Sequence, residues 1–228
     1  MTRSRFPQAV VLAAATCLAL AACSAHPGAA AVVGSETITE HQLDDVALAL
    51  CSAQSGSSPA GASQDLAGRA ARQGALGVLL NAAVSRQYGA SKGVQSDSAA
   101  VSRAVTANQS TIDKLPPSRR TAFRDTLAGY AEGQLMLVKI GGRALTGSGT
   151  KNVTQAQAVA AGTKLRDTWA ARHLTVSVDP RYGQWSHSAL RSTSGSLSVP
   201  GSARARAGAA QQPAPSWVSA LPASQKCS

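Results

Sequence analysis

A chain of 228 residues, 44% hydrophobic and 14% charged, holds enough apolar material for one ordinary domain with a core and irregular ends. Its 22 Lys and Arg against 11 Asp and Glu give a formal net charge of +11, a balance that favours anionic surfaces. Only 4% of residues are aromatic, leaving few platforms for base stacking. Nucleic acid is therefore not expected as a partner; anionic lipid headgroups or wall polymers are, unless the arginines merely keep an Ala-rich surface soluble.

Met1-Thr2-Arg3-Ser4-Arg5 is a short basic start. The apolar run over residues 9–22 is too short to span a bilayer as a folded helix, and together they have the layout of a secretory signal peptide. Leu20-Ala21-Ala22-Cys23 resembles the bacterial lipobox, in which the cysteine thiol takes a diacylglyceryl group and becomes the new N-terminus. The resemblance implies residues 1–22 as a lipoprotein signal peptide, Cys23 as the lipid (palmitate-bearing) attachment and residues 23–30 as a lipidated tether. The alternative is an ordinary secreted protein cut after the same small residues. Two or more acyl chains, at ~0.8 kcal/mol per buried methylene, hold a protein stably on a membrane. Arg3 and Arg5 are not adjacent, so twin-arginine export is not indicated, and their loss lowers the charge from +11 by two. Cys17 leaves with the signal. Cys51 and Cys227 then remain as an even pair in an oxidising compartment and are expected to form a disulfide, two free thiols being the alternative.

Ala31-Val32-Val33-Gly34-Ser35-Glu36-Thr37-Ile38-Thr39 places β-branched residues around a glycine turn and reads as a short strand and turn. Thr39 can cap the helix that follows, with Gln42 at capping-box spacing and Leu43, Val46, Ala47 and Leu50 on one stripe, ending near Gln54. Residues 55–63 form a Gly/Ser/Pro/Ala connector. A second helix over residues 64–88 puts Leu76, Leu79, Leu80, Ala83 and Val84 on one side and Arg69, Arg72 and Arg86 on the other, with Gly89 as its stop. A third, capped by Ser96, carries Val101, Val105, Asn108, Ile112 and Leu115 until Pro116-Pro117. The fourth, over residues 117–145, turns Phe123, Leu127, Tyr130, Leu137 and Val138 inward, with Gly141-Gly142 expected to fray or kink its end. After a loose connector at residues 147–152, Thr154 caps a fifth helix with Val159, Leu165 and Trp169 inside. Leu174-Thr175-Val176-Ser177-Val178 alternates as a strand ended by Asp179-Pro180. One strand cannot stand alone, so it is expected to pair with Val32-Val33 and bring the ends of the domain together. Residues 186–228 are Ser, Gly, Ala, Pro and Gln around isolated tryptophan and leucine, a low-complexity tail pinned near its end if Cys227 finds Cys51.

No catalytic centre, metal site or cofactor is expected. Ser148-Gly149-Thr150-Lys151 fits Ser-x-x-Lys but has no Ser-Asp-Asn or Lys-Thr-Gly companion. Tyr88 and Lys92 mimic a Tyr-x-x-x-Lys pair without the glycine-rich phosphate loop that such dehydrogenases need. His26, His41, His173 and His187 lie far apart, with no metal-binding spacing. Glu36, Glu40, Asp44 and Asp45 cluster at the first turn of the first helix, where negative charge meets the helix dipole favourably.

Val32-Val33-Gly34-Ser35-Glu36-Thr37-Ile38-Thr39, running into a helix, resembles the opening Val-x-Gly-x-x-Ile-Thr of the SurA N-terminal domain and of PrsA-type foldase lipoproteins. Val176-Ser177-Val178-Asp179-Pro180-Arg181-Tyr182-Gly183-Gln184-Trp185 is similar to the strand closing that domain in lipoproteins of high-GC Gram-positive bacteria. The resemblance implies a mostly α fold over residues 31–185: a single SurA-N-like helical domain of about five helices with a small two-stranded pairing of its ends. In that family the domain binds unfolded or newly exported polypeptides, and many members carry an inserted parvulin prolyl isomerase domain. Here residues 147–152, where an insert would sit, are too few for one, and Val33 stands where the family usually has Asn. The resemblance therefore implies a non-enzymatic, chaperone-like lipoprotein held on the extracytoplasmic face of the membrane. The alternative is an envelope scaffold whose arginine-rich faces bind anionic lipid or polymer.

Overall fold

The structure is a computed structural model and describes residues 27–55, 67–186, 189–191, 201–210 and 213–227. Cys23, His26, His187 and the whole expected signal peptide lie outside the described residues.

Strand β1 (Ala29–Val33) is central in a small antiparallel sheet, with β2 (Glu36–Thr39) on one edge and β3 (Val176–Val178) on the other. Val32 faces Thr37 on one side and Ser177 on the other. The expected pairing of the two ends of the domain is present, and the turn segment adds a third strand. Gly34 closes the β1–β2 turn at φ +56°, a left-handed conformation that suits glycine, and a Cβ there would lie 2.9 Å from Leu174 Cδ1. Its N–H donates to Thr175 O at 2.9 Å, so one tight turn serves both neighbouring strands.

Helix α1 (Glu40–Ser55) starts where expected, because Thr39 Oγ1 accepts from the N–H of Gln42 at 3.1 Å. Helix α2 (Gly68–Ser91) runs under it, and Leu43, Val46, Leu76, Leu80 and Val84 are fully buried with Val33 and Ile38 of the sheet. The helical stripes read from the sequence thus form the main core. Gly89 does not stop α2. It sits inside the helix because a Cβ there would press on the Met136 side chain, and the chain leaves the helix at Gly93, whose φ is +61°.

The expected third helix is two: α3 (Ser98–Thr106) and α4 (Gln109–Lys114). Asn108 breaks it. Its side-chain amide donates to Ala104 O at 2.8 Å, the carbonyl that its own N–H would use, and the N–H turns to Val105 O instead. Asp97, not Ser96, caps α3, accepting from the N–H of Ala99 at 2.9 Å, while Ser96 Oγ donates to Glu132 at 3.3 Å. Ile112 and Leu115 close a second cluster with Ala49 and Phe123.

Helix α5 (Pro117–Gly147) begins on its proline and packs along α2 and against α6 (Gln155–His173). Thr154 and Gln157 form the reciprocal capping box that starts α6. Gly141 and Gly142 do not end α5. Gly141 faces Gly162 so closely that a Cβ would stand 2.5 Å from Gly162 N, letting the two backbones meet. Tyr130 and Leu165, expected inside, are 42% and 40% exposed; Met136 on α5 and Ala158, Gly162, Arg166 and Ala170 on α6 are buried instead. A stripe of small residues allows a closer approach than large apolar ones and carries no signal on a hydropathy reading.

Among its described residues, the C-terminal segment forms elements that its composition does not announce. Strand β4 (Gln184–Ser186) pairs antiparallel with β5 (Ala189–Arg191), setting Trp185 opposite Leu190. Helices α7 (Ala203–Ala209) and α8 (Pro215–Ser219) are followed by a 3₁₀ turn at Ala223–Gln225. The described residues therefore make a mostly helical fold of eight α-helices with small antiparallel sheets.

Candidate functional site

The acidic cluster around α1 is consumed by the fold. Glu36 pairs with Arg86 at 2.5 Å and Asp45 with His41 at 3.1 Å. Arg72 Nε approaches Asp44 Oδ1 at 2.9 Å as an ion pair without hydrogen-bond alignment. Glu40 takes Arg181 at 2.8 Å and the hydroxyl of Tyr182, clamping the segment after β3 onto the start of α1. Arg181 also grips Asp179 through Nε and Nη2, which holds that carboxyl below its ordinary range. Burial, and then the bond to Glu40, push the Tyr182 hydroxyl up to about 12. Each of these four carboxylates has a structural partner.

Ser148, Tyr88 and Lys92, from the serine–lysine and tyrosine–lysine spacings, make contacts within the fold. Ser148 caps the exposed end of α5, donating to Leu145 O at 2.8 Å. Tyr88 is buried against Trp169, with ring centroids 5.4 Å apart, and Lys92 rests over its ring. His173 stacks on Trp169. Among the described residues no three His, Cys, Asp or Glu side chains are placed to hold a metal. Arg166 carries no sequence signal yet is only 4% exposed. It donates to Ser85 Oγ at 3.0 Å and to Asp167 Oδ1 at 2.8 Å, pinning α6 to α2.

Two clefts flank the α1–α2 pair. One, of about 710 Å³, opens between β2, α1, α2 and α5, and its walls are polar: Glu36, Asp45, Asp125 and Glu132 surround Arg86. The other, of about 610 Å³, lies where the C-terminal half of α1 meets the start of α2, walled by Ala47 and Leu48 of α1, by Ala67 just ahead of α2 and by Ala71 within it. Residues 213–227 form its roof and contribute Trp217 and Leu221. Leu48 is 42% exposed in this groove, an apolar side chain off the core stripe of its own helix.

This roof, hereafter the strap, is attached at its end. Cys51 and Cys227 form the expected disulfide, with Cα atoms 5.2 Å apart across a sequence separation of 176. Lys226 makes an antiparallel bridge to Ala67, which has extended φ and ψ just ahead of α2. Trp217 is held by α7, donating from its indole nitrogen to Arg204 O at 3.0 Å, and Gly208 leaves room for its ring. The groove was missed in the sequence because its signals are local exceptions: one leucine off a helical stripe, and Trp217 and Leu221 a helical turn apart in a weakly apolar tail.

Compared with protein families, characterised proteins and solved structures, the chain matches none of them.

Proposed function

We propose that this chain is a membrane-anchored extracytoplasmic lipoprotein that acts, without enzymatic activity, as a chaperone-like binding module for exported or unfolded polypeptides. One observation carries the reading: the α1–α2 groove already accommodates a peptide, the chain's own strap. It does so with a single backbone bridge at Ala67 and with Ala47, Leu48 and Ala71 on the floor, flanked by Arg69 and Arg72. A bridge that any backbone can make and a floor that accepts any apolar side chain suit clients of varied sequence. Cys23 anchors the module through its lipid, and a Cys23→Ser form should leave the membrane fraction. The SurA-like opening and closing segments support the same class, since in the structure they are the strands β1–β2 and β3 that join the two ends of the domain.

The scaffold alternative depends on free cationic faces. Five arginines, Arg72, Arg86, Arg103, Arg166 and Arg181, lie within ion-pair distance of carboxylates of this chain, which reduces the charge those faces offer. The decisive assay is binding of a reduced, carboxymethylated client to the mature protein at low and high salt, with and without a dithiol reductant. Salt-resistant binding in either redox state is the expected result. No binding in either state, or binding that collapses with ionic strength, overturns the reading.

A further inference from the structure

We infer that the strap is an autoinhibitory occupant of the α1–α2 groove, latched by Cys51–Cys227, and that reduction of this disulfide vacates the groove for a client peptide. The inference rests on the polypeptide-binding reading above and adds its regulation.

Three features lead to it. The strap covers the groove without filling it: a cleft of about 610 Å³ remains, with Leu48 half-exposed below and Trp217 and Leu221 above. An open cleft is thus left between the strap and the two helices. The hydrogen bonds of Trp217, of Arg204 to Ala220 O and of Lys226 Nζ to Ser219 O run within the C-terminal segment itself. These bonds survive when the strap lifts together with α7. Finally, the latch is asymmetric. Cys51 is 6% exposed on α1, whereas Cys227 is partly exposed at the chain's outer edge.

That asymmetry sets the course of the exchange. A dithiol reductant presents a thiolate to Cys227 Sγ, forming a mixed disulfide there while Cys51 departs as a thiolate and takes up a proton. The reductant's second thiol then displaces Cys227. Two electrons and two protons pass in all, so the protein gains two thiols and the reductant becomes a disulfide. The strap stays joined to the chain at its N-terminal end but loses the fixed geometry that the disulfide imposes, so it competes for the groove less effectively. The bridge position beside Ala67 is then vacated, and the floor at Leu48 opens. Apparent client affinity is reduced by the fraction of molecules whose groove is covered.

The test compares the oxidised mature protein with a Cys51→Ser/Cys227→Ser form and with the dithiol-treated protein, reading binding of a fluorescent carboxymethylated client. Far-ultraviolet circular dichroism confirms that helix content is kept. A synthetic peptide of residues 213–227, its cysteine alkylated, serves as competitor against a scrambled control. The expected result is affinity at least about tenfold higher in the open forms, with displacement by the strap peptide and not by its scramble. Equal client affinity in oxidised and open forms overturns the inference while leaving the polypeptide-binding reading intact. Tighter binding that the strap peptide fails to displace also overturns it, since reduction would then have loosened the fold rather than cleared the groove. Absence of binding in every form overturns the underlying reading as well.

Discussion

The helical body and the strap are built from the same Ala-rich alphabet but held by different physics. In the body, α1, α2 and the sheet interlock through stripes of Leu, Val and Ile that are fully buried, α5 adds Phe123, Met136 and Leu137, and α6 is seated by glycines and a buried arginine. The strap is tied down by the buried Val218, by hydrogen bonds to α7, by the backbone bridge at Ala67 and by the disulfide. Removing any one large side chain from the body opens a cavity, whereas removing the bond at the end of the strap frees a segment. A chain can therefore carry a rigid frame and a releasable part without a second core.

Four measurements sharpen or break this contrast. The largest effect is expected in the body core. Leu80→Ala removes a fully buried side chain and should lower unfolding free energy by about 2–5 kcal/mol, whereas Leu48→Ala on the groove floor should change it by less than about 0.5 kcal/mol. Similar losses at both positions in chemical denaturation would erase the distinction. Next in size is the latch. Closing a loop of 176 residues gives roughly 5 kcal/mol in the chain-entropy model, of which about 2–4 kcal/mol is commonly realised. Cys227→Ser should lose that amount yet keep its helical circular dichroism; collapse of the helical signal at ordinary temperature would mean that the strap is part of the frame.

Smaller again is the close approach of α5 and α6. Gly141→Ala places a methyl group against Ala158 O and Gly162 N, so about 1–3 kcal/mol should be lost to overpacking. An unchanged melting temperature would show that these helices do not meet as described. The smallest effect concerns the clamp between the two ends of the domain. Tyr182→Phe removes the hydroxyl bonded to Glu40 and should cost about 1 kcal/mol.

The clamp also has a pH signature. The Tyr182 hydroxyl is raised from 10.0 to about 12 in the fold, so its contribution is complete below pH 10 and is lost as pH climbs through 12. Asp179 is lowered from 3.8 by Arg181, and its contribution, present above that value, fades as the solution is acidified through and below it. In an alkaline stability titration the wild-type protein should therefore lose more than Tyr182→Phe between pH 10 and 12; superimposable curves would remove the clamp from the account.

How much of this was legible follows the physics of each element. Periodic apolar residues announce themselves, so α1, α2 and α5, the Thr39 and Thr154 caps, and the pairing of Val32-Val33 with Val176-Ser177-Val178 could be read directly. The disulfide was legible by elimination among four cysteines. Hidden were features that work by absence or exception: Gly89, Gly141 and Gly162 look like helix breakers yet serve as contact points. Asn108 splits a helix through a side chain that the apolar pattern ignores. Arg166 is buried although charge predicts a surface. The strap was hidden for a different reason. Its order comes from α7, the disulfide and the bridge to Ala67, which are partners distant in sequence, while its own composition reads as a loose tail.

The central claim is that peptides bind on the α1–α2 groove floor, and it can be tested at one residue. Benzoylphenylalanine placed at Leu48, in the other cleft at Thr121, or on the exposed surface at Leu165 would report where a denatured client touches the dithiol-treated protein. The account predicts client crosslinks from position 48, suppressed in the oxidised protein, where position 48 should instead capture the strap. Client crosslinks from position 121 or 165 with none from position 48 would contradict it.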